Sequence, residues 1–245
     1  MQVEKVFASL NSFVPPTDWQ GTLFLLPPAA MHSIYHFIVE NKLHNCIELG
    51  TGFGATSCVI GAAVNTLNGG HVITVDKYLH QPINVKVLMQ QVGLSESSIE
   101  VVVDELGYNW YLPELIRQQT NEGVCQPLFD FCLLDGAHEW EPDALAFFLV
   151  ARLLKPGGWI AIDDINYYFR IMPSWRETHG HYTDKELDTF QMKMVYELAV
   201  QSHPDFENFH LTHEGRIGWA QKKHPSSRTS LTTRLGLSKL LSRRK

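Results

Sequence analysis

The residues with the clearest chemical potential lie in one short stretch, Glu48 to Gly54, which reads ELGTGFG. Glycines at 50, 52 and 54 let backbone approach a ligand where any Cβ would intrude, and the stretch opens into a helix whose first amides are free to face it. Glu48, just before them, would repel a pyrophosphate and suit a cationic amino-acid group. The spacing also departs from the G-x-G-x-x-G of dinucleotide loops, because Ala55 and Thr56 do not supply the third glycine at that offset. Asp76 ends a β-branched run 26 positions after Gly50, where a carboxylate can accept from both hydroxyls of a ribose. The two features together point to a ligand that carries adenosine.

Three further carboxylates stand at strand ends. Asp135 closes FDFCLLD, and Asp163 with Asp164 closes WIAID. In an open parallel sheet these ends share the carboxyl edge, where ligands bind. Three acids side by side repel one another unless a cation joins them, and a Mg²⁺-like ion with oxygen ligands meets that demand. His138, three residues after Asp135, is the candidate general base, since imidazole titrates near neutral pH. Its alternative role is to cap the next helix or to bond a carboxylate.

These residues need a scaffold that delivers strand ends to one place. From about Leu43 the chain alternates strand and helix patterns, the signature of βα units. The expected strands are Cys46 to Leu49, His71 to Asp76, Ile99 to Asp104, Phe129 to Asp135 and Trp159 to Asp163. Helices are expected over Thr56 to Leu67, Pro82 to Val92 and Pro142 to Leu154, with Lys155 to Gly158 as a turn and a fourth helix among the gaps. Upstream, the prolines at 15, 16, 27 and 28 with Trp19 and Phe24 suggest an extended arm. A helix then starts at Pro28 and carries Met31, Ile34, Phe37 and Ile38 on one stripe. After Asp164 the rhythm breaks. The segment from Ile165 to Tyr182, with Tyr167, Tyr168, Phe169, Trp175, His179 and His181, reads as a lid over an acceptor, together with the arm around Trp19. A helix with Leu187, Phe190, Met194 and Leu198 at helical spacing follows, and FENFHLT with RIGWAQ forms an antiparallel hairpin turning at His213 to Gly215.

In this order, Glu48 to Gly54, Asp76, FDFCLLDG and LLKPGGWIAIDD resemble the motifs of class I S-adenosylmethionine-dependent methyltransferases, over roughly Leu43 to Gln221. The resemblance implies a doubly wound, three-layer α/β fold, whose seven-stranded, mostly parallel sheet ends on an antiparallel strand. It also implies that Glu48, Gly50, Thr51, Gly52, Gly54, Asp76, Asp104 and Asp135 bind S-adenosylmethionine, with Asp104 rather than Glu105 near the adenine. The acids Asp135, Asp163 and Asp164 are similar to the ligands of a divalent ion, Mg²⁺ or another, in metal-dependent small-molecule O-methyltransferases. Asp164 stands where the catechol branch has Asn, and His138 where it has Lys. The D-G-x-H form of Asp135 to His138 looks more like the sugar and natural-product branch, with Asp135 and His138 as the catalytic pair. The implied reaction is methyl transfer to a hydroxyl of a small metabolite.

Composition sets the outer limits. The 245 residues, 44% hydrophobic and 19% charged, fit one domain with an appendage. The longest apolar run, Ala144 to Ala151, is far short of the roughly 18 residues a membrane span needs. The N-terminus lacks the apolar core of a secretory signal, so a cytoplasmic protein is expected. The net charge of -6 is an average of unlike parts, since residues 222–245 hold eight Lys or Arg and no acid, leaving -14 for the rest. An acidic body excludes a broad nucleic-acid face. The expected division is an arm and lead-in helix (1–42), a catalytic domain (43–221) and a flexible basic tail (222–245), whose Leu231, Leu235, Leu237, Leu240 and Leu241 could form a weak amphipathic helix for an anionic surface. A homodimer through the loop aromatics is an open alternative. The four cysteines show no C-x-x-C pair and read as reduced, mostly core residues, and His32 and His36 read as a plain helix face. Two rivals to a transferase remain, a nicotinamide-dependent oxidoreductase and a non-catalytic adenosyl-ligand binding protein.

Overall fold

Seven strands form the central sheet: β1 (Asn45–Leu49), β2 (His71–Asp76), β3 (Ile99–Val103), β4 (Phe129–Leu134), β5 (Leu154–Ile162), β6 (Phe206–Thr212) and β7 (Ile217–Lys222). The computed structural model describes residues 2–16, 19 and 21–225. The order across the sheet is β3-β2-β1-β4-β5-β7-β6. All neighbours pair in parallel except β7, which runs antiparallel to both β5 and β6. This is the doubly wound architecture expected from the sequence, with its reversed last strand.

The helices cover both faces. One core packs α1 (Val3–Asn11), α2 (Pro28–Glu40), α3 (Ala55–Thr66) and α4 (Val85–Val92) on one side of the sheet. The second packs α5 (Tyr108–Gln118) and α6 (Trp140–Leu153) on the other. Within β1, Cys46 joins the first core and Ile47 and Leu49 the second, so the strand is apolar on both faces as a covered parallel strand must be. The chain crosses faces between β3 and β4, and the crevice therefore opens between β1 and β4.

Several boundaries differ from the sequence reading for local reasons. α4 begins at Val85 rather than Pro82, because Asn84 caps it through the amides of Lys86 and Val87. Lys155 to Gly158 is not a free turn but the start of β5, held by a bond from Lys155 Nζ to Asp130 Oδ1 at 2.8 Å and by pairing of Leu154 with Phe129. The helix carrying Leu187 and Leu198 is broken into α8 (Asp184–Asp188) and α9 (Gln191–Met194), the latter running on as a π-helical stretch, Val195–Val200, after the short α7 (Trp175–Thr178). Its buried face is Met192, Val195, Tyr196, Ala199 and Val200, whereas Phe190 and Leu198 are exposed. The wider winding rotates the face away from a plain 3.6-residue stripe. α1 lay unseen in the sequence, and α5 is the fourth helix expected among the gaps, its bounds masked by the internal Pro113. β7 runs to Lys222, whose Nζ donates to Ala151 O and Leu154 O, so the body extends past the expected cut at Gln221. The expected leucine stripe of the tail lies outside the described residues. Cys46, Cys58 and Cys132 are buried and free, and among the described residues no helix is long and apolar enough to cross a membrane.

The strand ends form one continuous edge. Backbone bonds join Asp104 N to Asp76 O, Gly50 N to Val75 O, Asp135 N to Leu49 O and Asp163 N to Leu134 O, at 2.9–3.1 Å. At the centre of that edge Gly50 has φ +98°, and a Cβ there would lie 1.9 Å from Asp135 O. Gly50→Ala is therefore expected to cost about 3 kcal/mol or more, through left-handed strain added to overpacking. Urea unfolding checks this, and an unchanged midpoint would show that the strand ends do not meet so closely.

Candidate active site

A cavity of about 640 Å³ opens on this edge. Its floor is the glycine turn from Gly50 to Gly54 and the start of α3, its far wall Asp76, Lys77 and Tyr78, and its near wall Asp135 to Glu139, Asp164 and Arg216. Leu23 and Leu25 of the N-terminal arm line the rim. Trp19 itself packs edge-on against Phe53, so it braces the turn rather than facing the cavity.

Glu48 is 1% exposed beneath the turn. Its Oε2 accepts from Ser57 Oγ and, at 2.6 Å, from Thr74 Oγ1, and Thr74 lies 2.6 Å from Thr51 Oγ1. Burial, partly offset by these hydroxyls, raises its pKa from 4.5 to about 7. Asp76 also has a task that the sequence did not show. Its Oδ2 accepts from Thr51 N at 2.9 Å and Gly52 N at 3.0 Å, and its Oδ1 from Lys77 N at 2.7 Å. The carboxylate holds the glycine turn in shape while still lining the cavity. Asp104 is not on the wall. It accepts from Leu106 N, and the third strand contributes Leu106, Gly107 and Tyr108 instead.

The loop after β4 is locked from below. Tyr108 Oη accepts from Ala137 N at 3.0 Å and donates to Asp143, which is fully buried and also accepts from Glu139 N. Between those two amides stands His138, with φ +60°. Its Nε2 lies 3.7 Å from Asp135 Oδ1 and its Nδ1 3.4 Å from Asp164 Oδ2. Neither contact is an aligned hydrogen bond, and Nδ1 is buried without a donor or acceptor partner. Asp164 also has positive φ, +58°. Two facing non-glycine residues in the left-handed region mark a site held by its surroundings. Tyr167 packs against the His138 ring, and its buried Oη is likewise unpaired. The other loop aromatics turn away: Phe169 stacks on His179 and meets Tyr182, and Arg170 ties the segment to Asp184 and Asp188. None of them lines the cavity.

Arg216 was not singled out in the sequence, and it organises the acids. Its Nε and Nη2 donate to Asp163 Oδ1 and Oδ2 at 2.8 and 2.7 Å, and Nη2 lies 2.9 Å from Asp164 Oδ1. Burial opposes its charge, but the bonds to Asp163 and the fields of Asp164 and Asp135 outweigh this and raise its pKa further. Burial and the two neighbouring acids push the Asp135 carboxyl up. Asp135, Asp163 and Asp164 do converge as the sequence implied, yet they do not fit a divalent ion as placed. Both oxygens of Asp163 and one of Asp164 already serve the guanidinium, the other Asp164 oxygen faces His138, and among the described residues no cluster of three His, Cys, Asp or Glu is arranged to hold a metal.

Residues 47–165 match a family model described as a methyltransferase domain. That stretch of the chain is thus a methyltransferase domain. No curated protein matches it in sequence. Among solved structures, an O-methyltransferase from Bacillus cereus in complex with SAH is similar over 90% of both chains, at 16% identity and TM-score 0.57. TomG of Streptomyces achromogenes, an O-methyltransferase involved in tomaymycin synthesis solved with SAM, covers 90% of this chain and 89% of its own at 13% identity and TM-score 0.55. The MycE methyltransferase of the mycinamycin biosynthetic pathway, solved with Mg and SAH, matches 92% of this chain but 54% of its own, at 15% identity and TM-score 0.54. These likenesses establish the fold.

Glu48 offers a direct test of the electrostatics. A carboxyl whose folded pKa lies above its unfolded one keeps its proton longer in the native state, so its contribution is most favourable below 4.5 and is lost as pH rises through about 7. The loss is on the order of 3 kcal/mol. Glu48→Gln is expected to flatten the stability profile across that window in chemical denaturation. A parallel decline in both proteins would place the titration elsewhere.

Proposed function

We propose that this protein transfers the sulfonium methyl of S-adenosylmethionine to a hydroxyl oxygen of a small acceptor. The observation that carries the reading is His138, which lines the cavity of the glycine turn, held in left-handed backbone between Asp135 and Asp164. Neither ring nitrogen makes an aligned hydrogen bond to the acids beside it.

The cavity suits the cofactor end to end. Glu48 beneath the turn compensates the cationic methionine end, with Gly50, Thr51, Gly52 and Gly54 giving close backbone contact. Asp76 on the wall reaches the ribose, and Leu106 to Tyr108 take the adenine side. The acceptor enters between Leu25 and Asp164, where its hydroxyl meets His138. In-line displacement then needs little beyond placement: the oxygen approaches the methyl from the side opposite the sulfur, and the His138 imidazole takes its proton as the O–C bond forms and the C–S bond breaks. The loss of the sulfonium charge favours an apolar, shielded setting, which the arm supplies. Small hydroxylated acceptors, such as sugars, polyketides and phenols, match a cavity of this size better than a polymer does. The solved O-methyltransferases of the same fold, from Bacillus cereus and Streptomyces achromogenes, support transfer to oxygen.

His138→Gln is expected to lower kcat by roughly 10²–10⁴ while leaving SAH affinity within a few-fold, measured by calorimetry and turnover. Incubation with methyl-labelled S-adenosylmethionine and a panel of hydroxylated sugars, polyketides and phenols tests the reaction itself. Label on an acceptor oxygen is the expected result. Label confined to the cofactor across the panel, label on nitrogen, or tight nicotinamide binding would each overturn the reading.

A further inference from the structure

The acid cluster at the carboxyl edge contains its own cation. We propose that Arg216 is a positioning residue that holds Asp163 and Asp164 from within, so that the site works without a divalent ion, and that removing the guanidinium converts the cluster into a divalent-cation site. This rests on the methyltransferase reading above for its function, but its geometry stands independently.

The placement follows from topology. β7 is antiparallel to β5, with Gly218 paired to Ile162. The start of β7 therefore lies beside the end of β5, and the residue just before it, Arg216, comes opposite Asp164. A parallel last strand would have brought its opposite end here. The backbone fixes the same point, since Ile165 N donates to Arg216 O at 2.9 Å. The side chain then forms a two-pronged bond with Asp163, a planar match that Lys cannot reproduce, and spans to Asp164 at 2.9 Å. Asp163 is 1% exposed, so this is a buried, saturated fork and not a solvated surface pair. A fourth contact, Nη2 to Leu25 O at 3.5 Å, reaches the arm that rims the acceptor end.

A hard divalent ion wants several anionic oxygens at once. Here both oxygens of Asp163 and one of Asp164 are spent on the guanidinium, and an ion placed among the acids would sit within a few ångströms of a fixed positive charge. The two cations compete for one seat. With Arg216 in it, Asp164 is held with one oxygen toward His138, which sets the direction in which the imidazole faces the cavity.

Mn²⁺ titration followed by electron paramagnetic resonance tests this on the full chain after chelation, with no acceptor required. The wild type is expected to leave Mn²⁺ free up to millimolar concentration. Arg216→Ala is expected to take up one ion per chain at least tenfold more tightly, with Mn²⁺ raising the Tm of this variant and not of the wild type. SAH calorimetry on the same samples reports whether the cofactor cavity is intact, which separates failure of this idea from failure of the methyltransferase reading. Arg216→Lys keeps one charge without the fork and is the second variant should Arg216→Ala not fold. It is expected to bind Mn²⁺ more tightly than the wild type and less tightly than Arg216→Ala would. Stoichiometric Mn²⁺ uptake by the wild type would overturn the proposal. So would the absence of uptake by an SAH-binding Arg216→Ala protein, or, where only Arg216→Lys folds, Mn²⁺ affinity in it no greater than in the wild type.

Discussion

Parallel strands bring their carboxyl ends to one edge, and in this protein that edge gathers Glu48, Asp76, Asp135, Asp163 and Asp164. Crowded acids must be neutralised before the edge can be a binding surface at all, because uncompensated carboxylates removed from water cost several kcal/mol each. The fork from Arg216 to Asp163 and Asp164 answers the densest part of that demand. Much else is arranged around it: the orientation of Asp164, the facing His138, and the seating of the arm through Leu25 O.

The remaining acids are handled by different chemistry, and the differences assign them their roles. Glu48 is buried under hydroxyls and can take a proton, which makes it a carboxylate waiting for a cation. Asp76 is satisfied by three backbone amides and acts as a brace for the glycine turn. Asp143 accepts from Tyr108, and the two together pin the amides on either side of His138. Protonation, amide donation and a guanidinium thus divide one edge between a buried carboxyl at Glu48 and a guanidinium fork at Asp163 and Asp164.

Much of this was legible in the residues themselves. The β-branched runs, the glycine turn and the strand-end acids marked β1 to β4, the end of β5 and the cavity they surround, because periodicity and special backbone conformations are local properties. What stayed hidden depends on distant partners. Arg216 is one arginine among several until the antiparallel pairing brings it back to Asp163, although the hairpin reading already implied that return. Asp104 read as an adenine contact, yet the turn it caps puts Leu106 to Tyr108 on the wall. The aromatics after Asp164 suggested a lid, but apolar rings find one another first, and only Tyr167 reaches His138. Tyr108 could not be singled out while Pro113 disguised its helix.

The antiparallel pairing of β7 also has a consequence for how the molecule comes into being. A chain is made from its N-terminus, and β1 to β5, with all five edge acids, emerge before the hairpin of residues 206–222 exists. Until that hairpin docks, Asp163 and Asp164 stand near each other and Asp135 with no guanidinium between them, and their charges repel. Seating the last strand closes the sheet and supplies the missing charge in the same event. Electrostatic completion of this edge is therefore coupled to the seating of the last segment of the sheet to be made.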